Sequence, residues 1–207
     1  MLRSRVARAG KRREYLTAVA VASVIVVVLL VVRLVPFGPA SSGTGVETIA
    51  TISTSYGVIA SSVVALAASH APSDYSLGSS KQLNPKETGL VSGAYGIFST
   101  PDGYSANMTI LVFNGTGSAQ TYIESVISNY KNLGGYSDAT GALAGFEQYG
   151  VCYGFGETDP DGNGAVANGV CEKGNVYIQV HVVAPSTLSA AENDLSGLVG
   201  AAYQVID

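Results

Sequence analysis

The chain of 207 residues contains no tryptophan and only two cysteines, two histidines and two methionines. Each scarcity removes a class of chemistry. Two cysteines without CxxC spacing make no dithiol redox motif, and with two distant histidines they fall short of a structural zinc ligand set. A blue-copper centre needs two histidines and a free cysteine, usually with a methionine. Here Met108 is the sole internal methionine, His70 lies in a loop-like stretch and His181 in a strand-like one. A lone strand histidine reads as structural or surface-exposed. No G-x-S-x-G elbow and no paired acidic motif is present, so neither nucleophilic nor acid–base catalysis has a recognisable constellation. The expectation is a protein that is not an enzyme and carries no cofactor, apart from one weak calcium candidate described below.

Charge is also scarce, and it is segregated. No arginine follows Arg33, and the remainder of the chain sets four lysines against fourteen of the fifteen acids, a net of about −10. Such a surface repels a phosphate backbone, which excludes nucleic acid as a partner. Arg3, Arg5, Arg8, Lys11, Arg12 and Arg13 instead crowd the N-terminus ahead of an uncharged run at residues 15–32.

That run is built mainly from Val, Leu, Ile and Ala. As a helix its eighteen residues span roughly 27 Å, and continuation to Val35 reaches about 31 Å, the thickness of a bilayer core. Its twelve Leu, Ile and Val residues favour insertion by about 5 kcal/mol. Arg33 can snorkel to the interface, and Pro36 and Pro39 stop the helix. A cleaved signal peptide has a shorter apolar core, of about 7–15 residues, so a retained anchor is expected. Arg12-Arg13-Glu14-Tyr15-Leu16 resembles a twin-arginine export signal, although Lys11 stands where Ser or Thr is usual. Basic residues stay cytoplasmic. The expected organisation is therefore a basic cytoplasmic tail (1–14), a transmembrane signal-anchor helix (15–35) in contact with the lipid bilayer, a flexible tether (36–45) and an extracytoplasmic domain (46–207).

Within that domain, Ile49, Ile52, Tyr56, Ile59, Val63 and Leu66 recur at spacings of three and four, which predicts an amphipathic helix over 46–69, packed on the domain or forming a short self-associating seam. Residues 70–87 are rich in Ser, Pro and Gly and read as a loop. Pro101-Asp102-Gly103 between alternating segments at 91–99 and 104–113 predicts a β-hairpin. Ala119, Tyr122, Ile123, Val126, Ile127 and Tyr130 share one helical face, closed by Gly134-Gly135. Strands follow near 143–148, 149–157, 166–173 and 176–183, with a tight turn at Gly174-Asn175. A last helix begins near Ser186, or at Ser189 with Glu192 as capping-box partner, and buries Leu188, Leu195, Leu198, Val199 and Ala202.

Two unequal hairpin-plus-helix halves result. The expected fold is α+β: an N-terminal transmembrane helix, then a two-layer domain with an antiparallel sheet and helices packed on one face. The outline is similar to several two-layer α+β folds, among them the PsbP/Mog1-like type, with no residue motif behind the likeness.

Three sets of candidate site residues stand out. Cys152 and Cys171, on neighbouring predicted strands, are expected to form a disulfide, as an even count in an exported domain suggests. Asp159, Asp161 and Asn163, followed by a turn glycine, resemble the start of an EF-hand calcium loop, with donors at positions 1, 3 and 5. Position 12 is Val170 rather than the bidentate Glu of that family, so the implied binding is weak. Asn107-Met108-Thr109 and Asn114-Gly115-Thr116 are glycosylation sequons.

The functional expectation is a non-catalytic binding or assembly module with a protein or envelope partner. The alternatives are a small-ligand sensor domain and a filament subunit resembling type IV pilins, in which Gly10 would precede the processing point. The charged residues Lys11 to Glu14 depart from that pilin pattern.

Overall fold

The computed structural model describes residues 55–84, 87–133, 135–158 and 164–206. The predicted tail, anchor and tether, and the Asp159–Asn163 calcium candidate, lie outside the described residues. Among the described residues no helix is long and apolar enough to cross a membrane.

The elements run α1 (Ala60–Ala67), β1 (Ser76–Leu83), β2 (Leu90–Ser99), β3 (Ser105–Phe113), α2 (Thr116–Leu133), β4 (Ser137–Asp138), a 3₁₀ segment (Thr140–Tyr149), β5 (Cys152–Thr158), β6 (Ala165–Lys173), β7 (Val176–Ala184) and α3 (Leu188–Val205). The seven strands form one sheet in the order β1-β2-β3-β7-β6-β5-β4, antiparallel throughout. Each half is a meander that ends in a helix, and the halves join where β7 pairs with β3. The antiparallel α+β expectation holds, and so does the hairpin at 91–113.

Helices on a single face do not hold. α1, α3 and the 3₁₀ segment pack on one face over Phe98, Met108, Ile110, Ile178, Val180 and Val182, whereas Ile123, Val126 and Tyr130 of α2 pack on the other over Leu111, Phe113, Phe155, Val170 and Tyr177. The reason lies in strand periodicity. Successive side chains point to opposite faces, and β3 and β7 carry apolar residues of both parities at their α2 end, so each face needs its own cover.

Three local expectations also differ. The helix predicted over 46–69 is helical, within its described part, only at Ala60–Ala67. Tyr56 is held instead by the β6–β7 turn: its N–H donates to Asn175 Oδ1 at 2.6 Å and its carbonyl accepts from Asn175 Nδ2 at 3.2 Å. Tertiary hydrogen bonds override the apolar spacing there, and Ile59 and Leu66 stay exposed. Within the predicted loop 70–87, Ser76–Leu83 forms β1. Its sequence SLGSSKQL buries almost nothing, and the strand exists because β2 offers it an edge of backbone donors and acceptors. The predicted strand at 143–148 is the 3₁₀ segment: Leu143 and Phe146, three apart, match its three-residue turn and point toward α3.

Turn chemistry follows the sequence closely, whereas the cap of the last helix is Thr187 rather than Ser186 or the Ser189–Glu192 box. Gly174 adopts φ +61° at the first central position of the two-residue β6–β7 turn, a conformation a side chain would strain. Asn175, buried beside it, also donates from Nδ2 to the Phe113 carbonyl at 2.8 Å, which ties the turn to the end of β3. Thr187 caps α3 by accepting from the Ala190 N–H at 3.2 Å. Leu195, Leu198, Val199 and Ala202 are fully buried, and each large side chain among them contributes about 1.5–3 kcal/mol of burial.

Candidate functional site on the open sheet face

The cover that α2 gives its face is incomplete. The helix lies over the end of the sheet marked by Leu111, Phe113 and Tyr177 and reaches across to Phe155, against which Tyr130 stacks at 4.5 Å. Beyond it, three rungs of side chains remain on that face, the outermost being Ser99, Ser105, Val183 and Val166. One runs Ile97, Asn107, His181, Asn168, and the next runs Tyr95, Thr109, Gln179. The same strands bury Phe98, Met108, Ile110, Val180 and Val182 on their opposite side. Polar residues on one face of central strands and apolar ones on the other mean that the polar face meets solvent or a ligand.

These side chains differ in how they are held. Gln179 is fully engaged: Tyr177 Oη donates to its Oε1 at 3.1 Å and its Nε2 donates to Tyr130 Oη at 3.0 Å, a network that closes the site toward α2. Asn168 is buried, and its Oδ1 lies 2.6 Å from His181 Nδ1. An amide oxygen only accepts, so Nδ1 carries the proton and Nε2 is left with a bare lone pair. Burial lowers the His181 pKa to about 4, so the ring is neutral at ordinary pH. The Asn107 amide, the Thr109 hydroxyl and the Tyr95 hydroxyl take no partner among the described residues, and all three side chains are partly exposed. Ile97 is 41 % exposed. No charged residue lies on these rungs within β2, β3, β7 and β6. Lys81 and Glu157 stand at the two rims.

Other expected site residues fall elsewhere. Cys152 and Cys171 are direct cross-strand partners on β5 and β6 and form the disulfide. It sits in the core against α3, where Tyr203 Oη is 3.7 Å from Cys152 Sγ. Of the two sequons, Asn114 is exposed just before α2, and Asn107 lies in mid-sheet on the open face. Thr109, Tyr95 and His181 were not singled out from the sequence as a group. The signal was present in the alternation of Ser105, Asn107 and Thr109 with Ala106, Met108 and Ile110, but nothing in the sequence said that α2 would stop short of them.

Two further features lie outside this face. A cleft of about 310 Å³ between the start of β1 and α3 is lined by Asp74, Tyr75, Asp102, Tyr104 and Asp194 among others, with Tyr75 Oη donating to Asp194 Oδ2 at 2.9 Å. Near the end of β6, beside the start of β5, Glu172 is buried: its Oε1 accepts from the Val151 N–H at 3.4 Å, while Oε2 has no partner among the described residues. Burial raises its pKa, and the Glu124 charge adds to the rise. Next to it, Lys173 Nζ donates to the carbonyls of Tyr203 and Ile206 and so neutralises the C-terminal end of α3.

No family model and no curated protein matches the chain. Among solved structures it is similar to the extracellular domain of PknH from Mycobacterium tuberculosis, with 12% identity, a TM-score of 0.49, and coverage of 71% of this chain and 92% of that one. A likeness at that level carries no argument about activity, ligand or partner.

Proposed function

We propose that this chain is a membrane-anchored extracytoplasmic domain that acts as a non-catalytic binding module through its open sheet face. The observation that carries the reading is the set of uncovered rungs on the central strands, where Asn107, Thr109 and His181 Nε2 hold hydrogen-bonding capacity that the described residues leave unused. Unspent donors and acceptors on a rigid sheet are what a binding surface requires, because the scaffold fixes their spacing before the partner arrives. Two features support the location. The disulfide suits an oxidising compartment, and the apolar run at 15–35 behind a basic tail suits an anchor with its N-terminus inside.

Purification of the full chain from its native membranes in mild detergent tests this, with intact-mass measurement of the chain and identification of what stays bound. The expected result is a chain that keeps residues 1–35 and retains a partner or envelope component, and that loses it in a Thr109→Arg variant. A solitary chain cleaved ahead of the domain would contradict both parts. A small-ligand sensor is the second reading, favoured by the acidic, tyrosine-lined cleft at Asp74, Tyr75 and Asp194. A small molecule retained by the Thr109→Arg variant and lost from Asp194→Asn would move that reading to the front.

A further inference from the structure

We propose that Asn114-Gly115 is a self-modification site, at which the Gly115 main-chain nitrogen attacks the Asn114 side chain and converts its amide into a carboxylate without an enzyme. Nothing in it depends on what the open sheet face binds.

The reaction needs an accessible side-chain amide, a following N–H that is not hydrogen-bonded, an unobstructed line of attack, and a group that stabilises negative charge on the amide oxygen. The junction between β3 and α2 supplies all of them. Asn114 is exposed, and its Nδ2 takes no partner among the described residues. The Gly115 N–H takes none there either. Gly115 has no Cβ, and the space where one would stand is empty. Asn114 itself is held in place. Its N–H donates to the Gly89 carbonyl at 2.7 Å. Its Oδ1 accepts from Ser118 Oγ at 3.3 Å and packs against Gly89, where a Cβ would lie 2.8 Å away. The Ser118 hydroxyl therefore donates to the oxygen on which charge develops, as an oxyanion donor does.

The chemistry balances with water as the sole co-reactant. Hydroxide takes the Gly115 amide proton, the nitrogen bonds to Asn114 Cγ, and the Cγ–Nδ2 bond breaks. Nδ2 takes a proton from water and leaves as ammonia. Water then opens the cyclic imide at either carbonyl, giving aspartate or its β-linked isomer. The aspartate sets a negative charge just ahead of α2, where the helix dipole favours it. The isomer lengthens the main chain by a methylene between β3 and the helix that covers part of the sheet face.

The same dipeptide recurs at Asn168-Gly169, and the fold separates the two. Asn168 is 2 % exposed, its Oδ1 lies 2.6 Å from His181 Nδ1, and β6 is paired along both edges. Main-chain nitrogens of such a strand belong to the ladder and reach a side chain only when the strand opens. A third pair, Asn163-Gly164, begins outside the described residues.

The test holds the full chain in detergent at mildly alkaline pH and body temperature for weeks. Peptide mapping reads the amide-to-acid mass change at each asparagine, and an isoaspartyl methyltransferase reads the β-linked product. Conversion at 114 should exceed that at 168 by about a hundredfold or more, since β6 must open before Asn168 reacts. Ser118→Ala should slow it about three- to tenfold, the loss of one hydrogen bond to the oxygen. Gly115→Ala meets no atom within 4 Å and no left-handed backbone, so it should fold normally, keep the sequon, and slow conversion about tenfold. In urea the two sites should react alike. Equal rates at 114 and 168 in the folded chain, an Asn114 that stays an amide throughout, or an Asn114 already carrying a glycan would each overturn the proposal. A preference for 114 that persists in urea would overturn its selection by the fold, and an unchanged rate in Ser118→Ala would overturn the part given to Ser118.

Discussion

Lowering the pH should destabilise this domain through one residue. Burial depresses the His181 pKa from 6.5 to about 4. Protonation therefore favours the unfolded chain. The stability contributed by keeping the ring neutral is complete above pH 6.5, is lost as pH falls from 6.5 toward 4, and changes no further below that. At about 1.36 kcal/mol per pKa unit the full loss is about 3 kcal/mol, of which about 2 kcal/mol has gone by pH 5. A domain of ordinary stability has only about 5–15 kcal/mol in total, so the effect is large enough to measure. Several other ionisable groups, including Tyr95, Tyr136, Lys81 and Glu157, belong to strands or loops of this face, and acid also titrates carboxylates throughout the chain. A difference against His181→Gln removes their contribution, because Gln keeps a polar side chain and cannot charge. Urea unfolding of the full chain in detergent, followed by far-UV circular dichroism at pH 7.5 and 5.0, gives the four values required. Wild type should lose about 2 kcal/mol more than the variant between the two pH values. Equal losses would falsify the claim that partial burial in the sheet holds the ring neutral.

The remaining predictions concern packing, the crosslink and the orphan carboxyl. Cys152→Ala with Cys171→Ala should lower stability by about 3 kcal/mol, since the bridge closes a segment with a separation of 19 residues; an unchanged urea midpoint would show that the crosslink contributes nothing to the unfolded-state entropy. Gly154→Ala should cost about 1–3 kcal/mol or more, because its Cβ would lie 2.5 Å from the Ala139 carbonyl oxygen, a backbone atom held in place by the Ala139 N–H to Gly154 carbonyl bond. Gly141→Ala, with open space around it, should stay within about 0.5 kcal/mol of wild type. Glu172→Gln should be more stable than wild type at neutral pH. The folded-state pKa of Glu172 is raised, so wild type loses stability relative to the variant as pH rises through the unfolded value of 4.5 toward the folded one; paired unfolding curves at acid and neutral pH read the sign directly.

Much of the fold was legible because local patterns were also the tertiary ones. The hairpin around Pro101-Asp102-Gly103, the tight turn at Gly174-Asn175 and the buried stripe of α3 each combine periodicity with the turn or cap residue that ends the pattern. Other segments were decided by their neighbours. Ser76–Leu83 has almost no apolar alternation and became a strand because an edge of β2 was available to it. Residues 55–59 have helical spacing yet form no helix, because Asn175 claims the backbone of Tyr56. Neither fact lies in the segment's own pattern: the first depends on pairing with the following strand β2, and the second on a partner 119 positions away.

The sequence by itself determined the charge segregation, the anchor-like run, the pairing of the only two cysteines and the succession of two hairpin-plus-helix halves. Each is a property of composition or of short-range order. Only the tertiary structure decided that α2 crosses to the face opposite α1 and α3, and that it leaves Asn107, Thr109 and His181 uncovered. The physical reason is that alternation along a strand tells which residues share a face, whereas the extent of a helix's cover depends on where strands distant in sequence meet in register, as Asn107 and His181 do.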